Sequence, residues 1–255
     1  LSFEQMVQAI LCMRGGSLTT EMMDLFGIRE ELATTSAFVQ RRAKILPEAF
    51  ESLFDLFTQR ANKNIIHEGM RLFAVDGSDF VLAANPDDPD SFYPGTEEQK
   101  SYNLLHLNAM FDLVQHIYVD AILQKSRKAD ECGALVRLVD RSSYNNVLLL
   151  ADRGYESFNV LAHIQEKGWK FLFRIKDGTC GIAAGLTLPD SDTFDVAYSL
   201  KLSNKKSNEA KMLYKDSNHY KLIPNGGSFD FLPSTSRKAD PMLFYELSFR
   251  VVRFK

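Results

Sequence analysis

The spacing of apolar residues changes near residue 70. Before that point, apolar side chains recur at helical spacing, most clearly at Ala49, Phe50, Leu53, Phe54, Leu56 and Phe57. Pro47 suits the first turn of such a helix. Glycines at positions 15, 16 and 27 interrupt the earlier part of the chain. Residues 1–70 are therefore predicted to form a region of short helices.

After residue 70 the pattern is one of short apolar runs. The first covers residues 71–75 and ends at Asp76, and a polar loop rich in Pro and Asp follows over 85–95. The runs 103–111 and 116–123 are separated by about four residues and predict a hairpin. The elements predicted next are a helix over 129–143, a strand over 147–151, a helix over 157–168 and a strand over 169–175.

This order of elements predicts an α/β fold with a mixed sheet. Three strands joined by short connections are antiparallel neighbours, and the strand reached through a helix is parallel to the first. Helices on both faces of that sheet would give three layers. Residues 177–255 are more polar, with β-like segments at Phe194–Leu202, Lys211–Tyr214 and Met242–Phe254 and a turn at Asn225-Gly226. The predicted domains are a helical region (1–70), an α/β core (71–176) and a β-rich region (177–255).

Composition narrows the class of protein. The chain has 255 residues, 45% apolar and 25% charged, which excludes a disordered or low-complexity chain. It contains no run of about 18 apolar residues, so no membrane partner is expected. Its three cysteines lack a CxxC motif, so neither a disulfide framework nor a cysteine zinc site is predicted, and a reducing cytoplasm is expected.

Charge is unevenly distributed along the chain. Residues 196–255 hold 11 Lys and Arg but five Asp and Glu, a net charge of +6, although the whole chain carries −3. An acidic part beside a basic part suits a protein that binds cations with one and a polyanion with the other. The same asymmetry also describes an ordinary solvated basic surface.

Two aspartates are the candidate chemistry. Asp76 and Asp152 each follow an apolar run that is predicted to be a buried strand. If those strands are neighbours, both carboxylates lie at one edge of the sheet, where hard oxygen ligands without His or Cys favour Mg²⁺ or Mn²⁺. The alternative is structural: Asp76 would belong to an Asp-Gly turn and Asp152 would cap the following helix.

Several segments resemble one protein family. LFAVDGSDF, TTSAFVQRRAKILPEAF and LLLADRGYESFNVLAHIQEKGWKFLFRIKD are similar to bacterial insertion-sequence transposases with a DDE catalytic domain, of the "insertion sequence four" type. The resemblance extends from about residue 34 to the end of the chain. It implies a ribonuclease-H-like fold and a β-rich domain inserted after the second catalytic aspartate, which would account for residues 177–255.

The resemblance also implies functions for particular residues. Asp76, in its Asp-Gly-Ser setting, matches the first catalytic aspartate, and Asp152, in Asp-Arg-Gly-Tyr, matches the second. Both would hold two Mg²⁺ or Mn²⁺ ions. Arg153, Arg174 and Lys176 fall at positions that the resemblance puts near DNA. The implied partners are double-stranded DNA at the inverted-repeat ends of a transposon and target DNA, bound by a homodimer in the bacterial cytoplasm, at the nucleoid when on DNA.

One part of the family pattern is absent. The family's glutamate lies in a signature of Tyr, two residues, Arg, three residues and Glu, yet none of the nine tyrosines has Arg three positions later. Glu209 and Glu246 lie in settings that do not suit this function. The glutamate is therefore expected downstream of Lys255, with the β-rich region truncated and the chain inactive alone.

Three functions remain open at this point. The first is a metal-dependent DNA transposase by a DDE mechanism, and the second is a catalytically inactive, transposase-derived DNA-binding remnant. The third is an unrelated metal phosphohydrolase with the same strand order. The helical region 1–70 is either a DNA-binding head or packing material.

Overall fold

The chain forms two compact units, Leu1–Arg60 and Ala61–Lys255. The computed structural model describes residues 1–27, 33–176, 181–223, 229–233 and 243–254. Among those residues no helix is long and apolar enough to span a membrane.

The first unit is helical, as the spacing of apolar residues predicted. Its described part contains α1 (Phe3–Cys12), α2 (Leu18–Phe26), α3 (Thr35–Arg42) and α4 (Glu48–Ala61), whose last residue crosses the unit boundary. The hydroxyls of Ser2, Ser17 and Thr34 accept backbone hydrogen bonds at the starts of α1, α2 and α3 and so cap them. A small core is formed by Met6, Ala9, Met22 and Phe38.

The second unit combines strands and helices. Its elements are β1 (Arg71–Leu82), β2 (Phe92–Tyr93), β3 (Tyr102–Asp112), β4 (Ile117–Lys125), α5 (Glu131–Arg141), β5 (Val147–Ala151), α6 (Phe158–Glu166), β6 (Lys170–Phe173), β7 (Phe194–Ser203), α7 (Asn208–Leu213), β8 (Tyr220–Leu222) and β9 (Tyr245–Arg253). Short 3-10 helices cover Ser126–Lys128 and Arg153–Tyr155. The predicted hairpin and the helices and strands between residues 129 and 175 are confirmed to within a few residues.

The strands form a six-stranded mixed sheet and a separate three-stranded one. In the larger sheet the order is β2-β3-β1-β5-β6, and β4 also pairs with β3. β1, β3 and β4 are antiparallel neighbours, whereas β5 is parallel to both β1 and β6. Three antiparallel strands followed by two parallel ones were predicted from the connections. The smaller sheet has the order β8-β7-β9.

One face of the larger sheet carries the core. Phe73 and Val75 of β1, Met110 of β3 and Leu149 of β5 are buried there with the apolar sides of α5 and α6. The two helices also pack against each other. Helices on both faces were expected, but within the described part of the second unit α5 and α6 share one face. The core continues into the smaller sheet through residues such as Leu200 and Leu247.

Three further predictions are corrected or fall outside the described residues. β1 does not end at Asp76 but continues to Leu82, because its antiparallel pairing with β3 extends from Phe73 opposite Asp112 to Leu82 opposite Asn103. The segment Lys211–Tyr214, predicted as β-like, lies mostly in α7, which Ser207 caps with its hydroxyl. The predicted Asn225-Gly226 turn lies outside the described residues.

Candidate active site

Asp76 lies where β1 loses one of its two neighbours. The parallel pairing of β1 with β5 ends at Val75 opposite Ala151, while the pairing with β3 continues through Asp76 opposite Ala109. Asp76 is therefore the first residue of β1 after its pairing with β5 ends, and from this residue on only β3 lies beside the strand. It is exposed, and its Oδ1 accepts a hydrogen bond from the backbone N–H of Gly77 at 2.9 Å. The alternative of an Asp-Gly turn is wrong, because Asp76 is inside a strand.

Asp152 is the corresponding residue at the end of β5. It directly follows Ala151, whose partner Val75 directly precedes Asp76, so the two aspartates are side by side in the register. Adjacent strands lie about 4.8 Å apart. Asp152 is the residue before the 3-10 helix, and its backbone is extended. Its side chain makes no capping hydrogen bond to that helix. The structural alternative of a capping aspartate is therefore not met.

Both carboxylates are left with few protein partners. Within the described chain, the only ion pair of either carboxylate joins Arg174 Nη1 to Asp152 Oδ1 at 3.9 Å, and both of these side chains are largely exposed. Such an exposed and long contact contributes little stability. Among the described residues no group of three His, Cys, Asp or Glu is arranged to hold a metal ion. The arrangement thus provides two neighbouring acidic oxygen donors that are open to solvent.

Tyr155 anchors the turn that carries Asp152 to the buried side of the sheet. Its hydroxyl donates to Asn108 Oδ1 of β3 at 2.9 Å, and both residues are buried. Burial, together with the nearby carboxylates of Glu131 and Asp76, raises the pKa of Tyr155 well above its usual value. The phenol therefore stays protonated and donates throughout the physiological pH range. Asn108 in turn donates from Nδ2 to Gln124 Oε1 of β4 at 3.1 Å.

The sequence did not single out Tyr155, Asn108 or Gln124 as site residues. The available signal was weak: Asn108 is a polar residue inside one apolar run of the predicted hairpin, Gln124 directly follows the other run, and a tyrosine ends the Asp-Arg-Gly-Tyr block. Only the pairing of β3 with β4, in which Gln124 is opposite His106, brings these polar side chains to one location.

The three basic residues that were predicted to lie near DNA are at the same end of the sheet as Asp152. Arg153 is exposed in the 3-10 helix that follows this aspartate. Arg174 follows β6, and its backbone N–H donates to the carbonyl oxygen of Ala151 at 3.0 Å. Lys176 is exposed two residues later. The structure thus brings Arg174 to Asp152, and the other two cations are exposed near them along the chain.

Glu156 fixes the segment that carries the last two cations. It is half-buried, and its Oε2 and Oε1 accept hydrogen bonds from the backbone N–H groups of Lys176 and Ile182 at 3.2 and 2.6 Å. These contacts hold the chain leaving β6 beside the start of α6. Glu156 therefore positions backbone, and its carboxylate is occupied by those two donors.

The face of the sheet that bears Asp76 is open in the described chain. Asp76 lines a recess of about 200 Å³ together with residues of β1, β3 and β4, namely Ala74, Val75, Ser78, Phe80, Leu107, Ala109, Phe111 and Tyr118. Phe80 and Tyr118 are 49% and 56% exposed. Asp76 is thus accessible from the side of the sheet opposite α5 and α6.

Known proteins match the region that contains these residues. The model of the family described as transposase DDE domain matches residues 67–220, which is more than half of the chain and includes both aspartates and all three cations. "Putative transposase InsZ" of Escherichia coli (strain K12) is 28% identical over 148 residues, covering 54% of this chain and 48% of that protein. The chain thus spans about half the length of this curated relative.

A solved structure of a piggyBac transposase synaptic complex with hairpin DNA is a further match. It covers 58% of this chain and 31% of that one, with a TM-score of 0.34 and 12% identity, values too low to establish a common fold. The family match, which covers more than half of the chain, identifies it as a member of the transposase DDE-domain family.

Proposed function

We propose that this chain carries two of the three catalytic carboxylates of a DNA transposase, which hydrolyses a phosphodiester at transposon ends and then transfers the strand. The observation that carries the proposal is the adjacency of Asp76 and Asp152 at the end of the β1–β5 pairing. The strand order, with three antiparallel and two parallel strands, supports a ribonuclease-H-like core over residues 71–176.

The donor set suits Mg²⁺ or Mn²⁺. Mg²⁺ binds through one or two carboxylates and keeps several of its waters, which needs exposed oxygen donors rather than a closed protein cage. Asp76 and Asp152 are exposed and make no close ion pair in the described chain. They would hold one or two metal ions. A bound metal ion would activate the attacking water or 3′-hydroxyl and stabilise the leaving oxygen.

The chain's own groups would bind and orient the DNA. Arg153, Arg174 and Lys176 are exposed cations around Asp152, and cations in such positions contact phosphates and fix the position of the duplex without selecting sequence. We infer that they hold the phosphates next to the scissile bond. The partners would be duplex DNA at inverted-repeat ends and target DNA, bound by a dimer in the cytoplasm.

The proposal extends to the remaining regions. The helical region 1–70 would serve as a DNA-binding head, and residues 177–255 as the β-rich domain inserted into the core. The three-stranded sheet of β7, β8 and β9 supports the β-rich character of that region. Its net positive charge suits contact with the DNA backbone.

Duplex binding is expected to weaken steeply with salt. Each phosphate contact contributes a slope of about −0.9 to the plot of log affinity against log salt concentration. Arg153→Gln and Arg174→Gln are each expected to make the slope shallower by roughly that amount, measured by fluorescence anisotropy on a labelled duplex. Arg141→Gln is the matched control, because Arg141 of α5 is engaged by Asp120 of β4 and lies outside the regions to which DNA contact is assigned. A flat affinity, or equal effects of all three variants, would contradict the assignment.

The chain alone is expected not to cleave duplex DNA efficiently. None of the chain's tyrosines begins the signature that contains the family's glutamate. In addition, the described residues contain no cluster of three ligands that could hold a metal ion. The measurement is a nicking assay on a duplex carrying the element's ends, with Mg²⁺ or Mn²⁺. Strand-specific nicking that Asp152→Asn abolishes would overturn this expectation and show that two carboxylates suffice.

The second candidate function is a DNA-binding remnant without chemistry, which the missing glutamate signature favours. It predicts salt-dependent duplex binding but no dependence of metal binding on Asp76 or Asp152. The metal titration described in the Discussion separates the two functions, because only the transposase proposal requires both aspartates to bind the cation.

A further inference from the structure

The start of α5 lies close to both segments that carry the catalytic aspartates. The helix begins at Glu131, immediately after Asp130, whose carboxylate caps it by accepting a hydrogen bond from the Gly133 N–H at 2.9 Å. The Cys132 thiol is 3.8 Å from the carbonyl oxygen of Gly154, two residues after Asp152. The backbone N–H of Asp130 also donates to Gln124 Oε1, which belongs to the chain of contacts that ends at Tyr155.

The Glu131 carboxylate occupies the space beside two glycines. A Cβ atom at Gly77 would lie 2.8 Å from His106 Nε2 and 2.9 Å from Glu131 Oε1, and one at Gly154 would lie 3.2 Å from Glu131 Oε2. Neither glycine has a positive φ, so the backbone conformation does not require glycine at these positions. The missing side chains instead make room for the carboxylate. Gly77 directly follows Asp76, so Glu131 touches both aspartate-bearing segments.

His106 supports this carboxylate from β3. Its Nδ1 is 2.7 Å from Asp79 Oδ1 of β1, and its Nε2 is 3.2 Å from Glu131 Oε1. The ring is largely buried. Within the described chain, Nε2 lies within ion-pair distance of Glu131 but makes no hydrogen bond of good geometry. A row of carboxylate, imidazole and carboxylate thus extends from β1 to the first turn of α5 and leads from Asp79 to the two glycines.

We propose that Glu131 is a positioning residue, which holds the β1 segment of Asp76 and the turn of Asp152 at a fixed separation so that both can bind one cation site. The inference rests on the proposed function, since it assigns Glu131 a purpose only if the aspartates bind metal. Glu131 acts through Gly77 and Gly154 on the backbone of the site and is not itself a ligand. His106 and Asp79 hold its carboxylate in place.

The same helix offers a matched control. Asp140, near the other end of α5, is 2.8 Å from His163 Nδ1, and His163 Nε2 is 2.9 Å from Asp230. His163 is as buried as His106, with 11% against 12% of its side chain exposed. This second carboxylate–imidazole–carboxylate row includes neither aspartate-bearing segment. Asp140→Asn therefore removes a comparable contact without disturbing the proposed site.

The test is a Mn²⁺ titration of the full chain followed by electron paramagnetic resonance, with thermal unfolding of each variant alongside. Residues that orient metal ligands typically change affinity by 10–100-fold, so Glu131→Gln is expected to weaken Mn²⁺ binding roughly tenfold. Gly77→Ala keeps every charge but displaces the Glu131 carboxylate together with the His106 ring that supports it, and it is expected to weaken binding and broaden the Mn²⁺ spectrum as well. Glu131→Asp is expected to recover part of the affinity. Asp140→Asn is expected to bind as the parent does.

The outcomes separate the inference from the function on which it rests. If Asp76→Asn and Asp152→Asn weaken Mn²⁺ binding but Glu131→Gln and Gly77→Ala do not, Glu131 is not a positioning residue and the aspartate site stands. If no aspartate variant changes binding, the proposed function itself fails. An effect of Glu131→Gln without one of Gly77→Ala would mean that the charge of Glu131 matters and its placement does not, which also overturns the inference.

Discussion

Asp152→Asn is expected to weaken Mn²⁺ binding by more than about 100-fold, which exceeds the 10–100-fold effect of residues that only orient metal ligands. Asn keeps the size of the side chain but removes the negative charge, and a neutral amide oxygen is a poorer partner for a hard dication than a carboxylate. Asp76→Asn is expected to have the same effect, because each aspartate directly follows a residue of the last β1–β5 pair, Val75 opposite Ala151. The measurement is a titration of the full chain followed by electron paramagnetic resonance.

The control for this prediction is Asp195→Asn. Asp195 is an aspartate of β7, and both of its carboxylate oxygens accept hydrogen bonds from Arg250, so its negative charge is already paired. Its loss is expected to leave Mn²⁺ affinity unchanged. If only one of the variants Asp76→Asn and Asp152→Asn weakens Mn²⁺ binding, the two carboxylates do not share a site. The proposed mechanism would then be wrong despite the family membership.

Phe73→Ala is expected to destabilise the second unit by about 3–5 kcal/mol, the cost of removing a large aromatic side chain from a packed core. Phe73 is fully buried in β1 beneath α5 and α6. Its ring makes edge-to-face contacts with Tyr144 and Trp169, at centroid distances of 5.2 and 6.1 Å. Such aromatic pairs add stabilisation beyond the area that they bury. The cavity left by the substitution would lie at the centre of the larger sheet.

Trp169 provides the measurement for this prediction. It is the single tryptophan of the chain and is buried in the second unit, so its fluorescence during denaturation by urea reports unfolding of that unit. Phe80→Ala is the control on the same strand, since Phe80 is 49% exposed on the opposite, open face. It is expected to cost less than about 1 kcal/mol. Equal costs for the two variants would mean that the open face is packed as tightly as the core.

The prediction of elements succeeded where apolar runs have clear ends. The strand over 147–151 is observed with the predicted bounds, because five apolar residues are followed by a charged pair that cannot continue a buried strand. β1 was predicted too short because its apolar run ends before the strand does. Asp76, Ser78 and Asp79 are polar, yet they remain in the strand because β3 supplies antiparallel partners to this exposed edge. Local polarity indicates where burial ends, not where pairing ends.

Residues 211–214 show the same limit for a short segment. They were predicted as β-like, yet a cap four residues before Lys211 starts helix α7 at Asn208. Ser207 supplies that cap, and its hydroxyl accepts from the Ala210 N–H. A helix of six residues buries one small side chain, Ala210, so its apolar pattern is too short to be distinguished from that of a strand.

For the site, the sequence by itself singled out the two aspartates as candidates, because each directly follows an apolar run and matches a family motif. Their adjacency depended on which strands pair, and the parallel register of β1 with β5 supplied it. The support from Tyr155, Asn108 and Glu131 was decided by tertiary structure alone. Along the chain, Tyr155 is 47 positions from Asn108 and 24 positions from Glu131. Only the packing of α5 and β3 around one turn brings these residues together. Local pattern reports burial and motif, whereas contacts between distant residues depend on which elements the folded chain pairs.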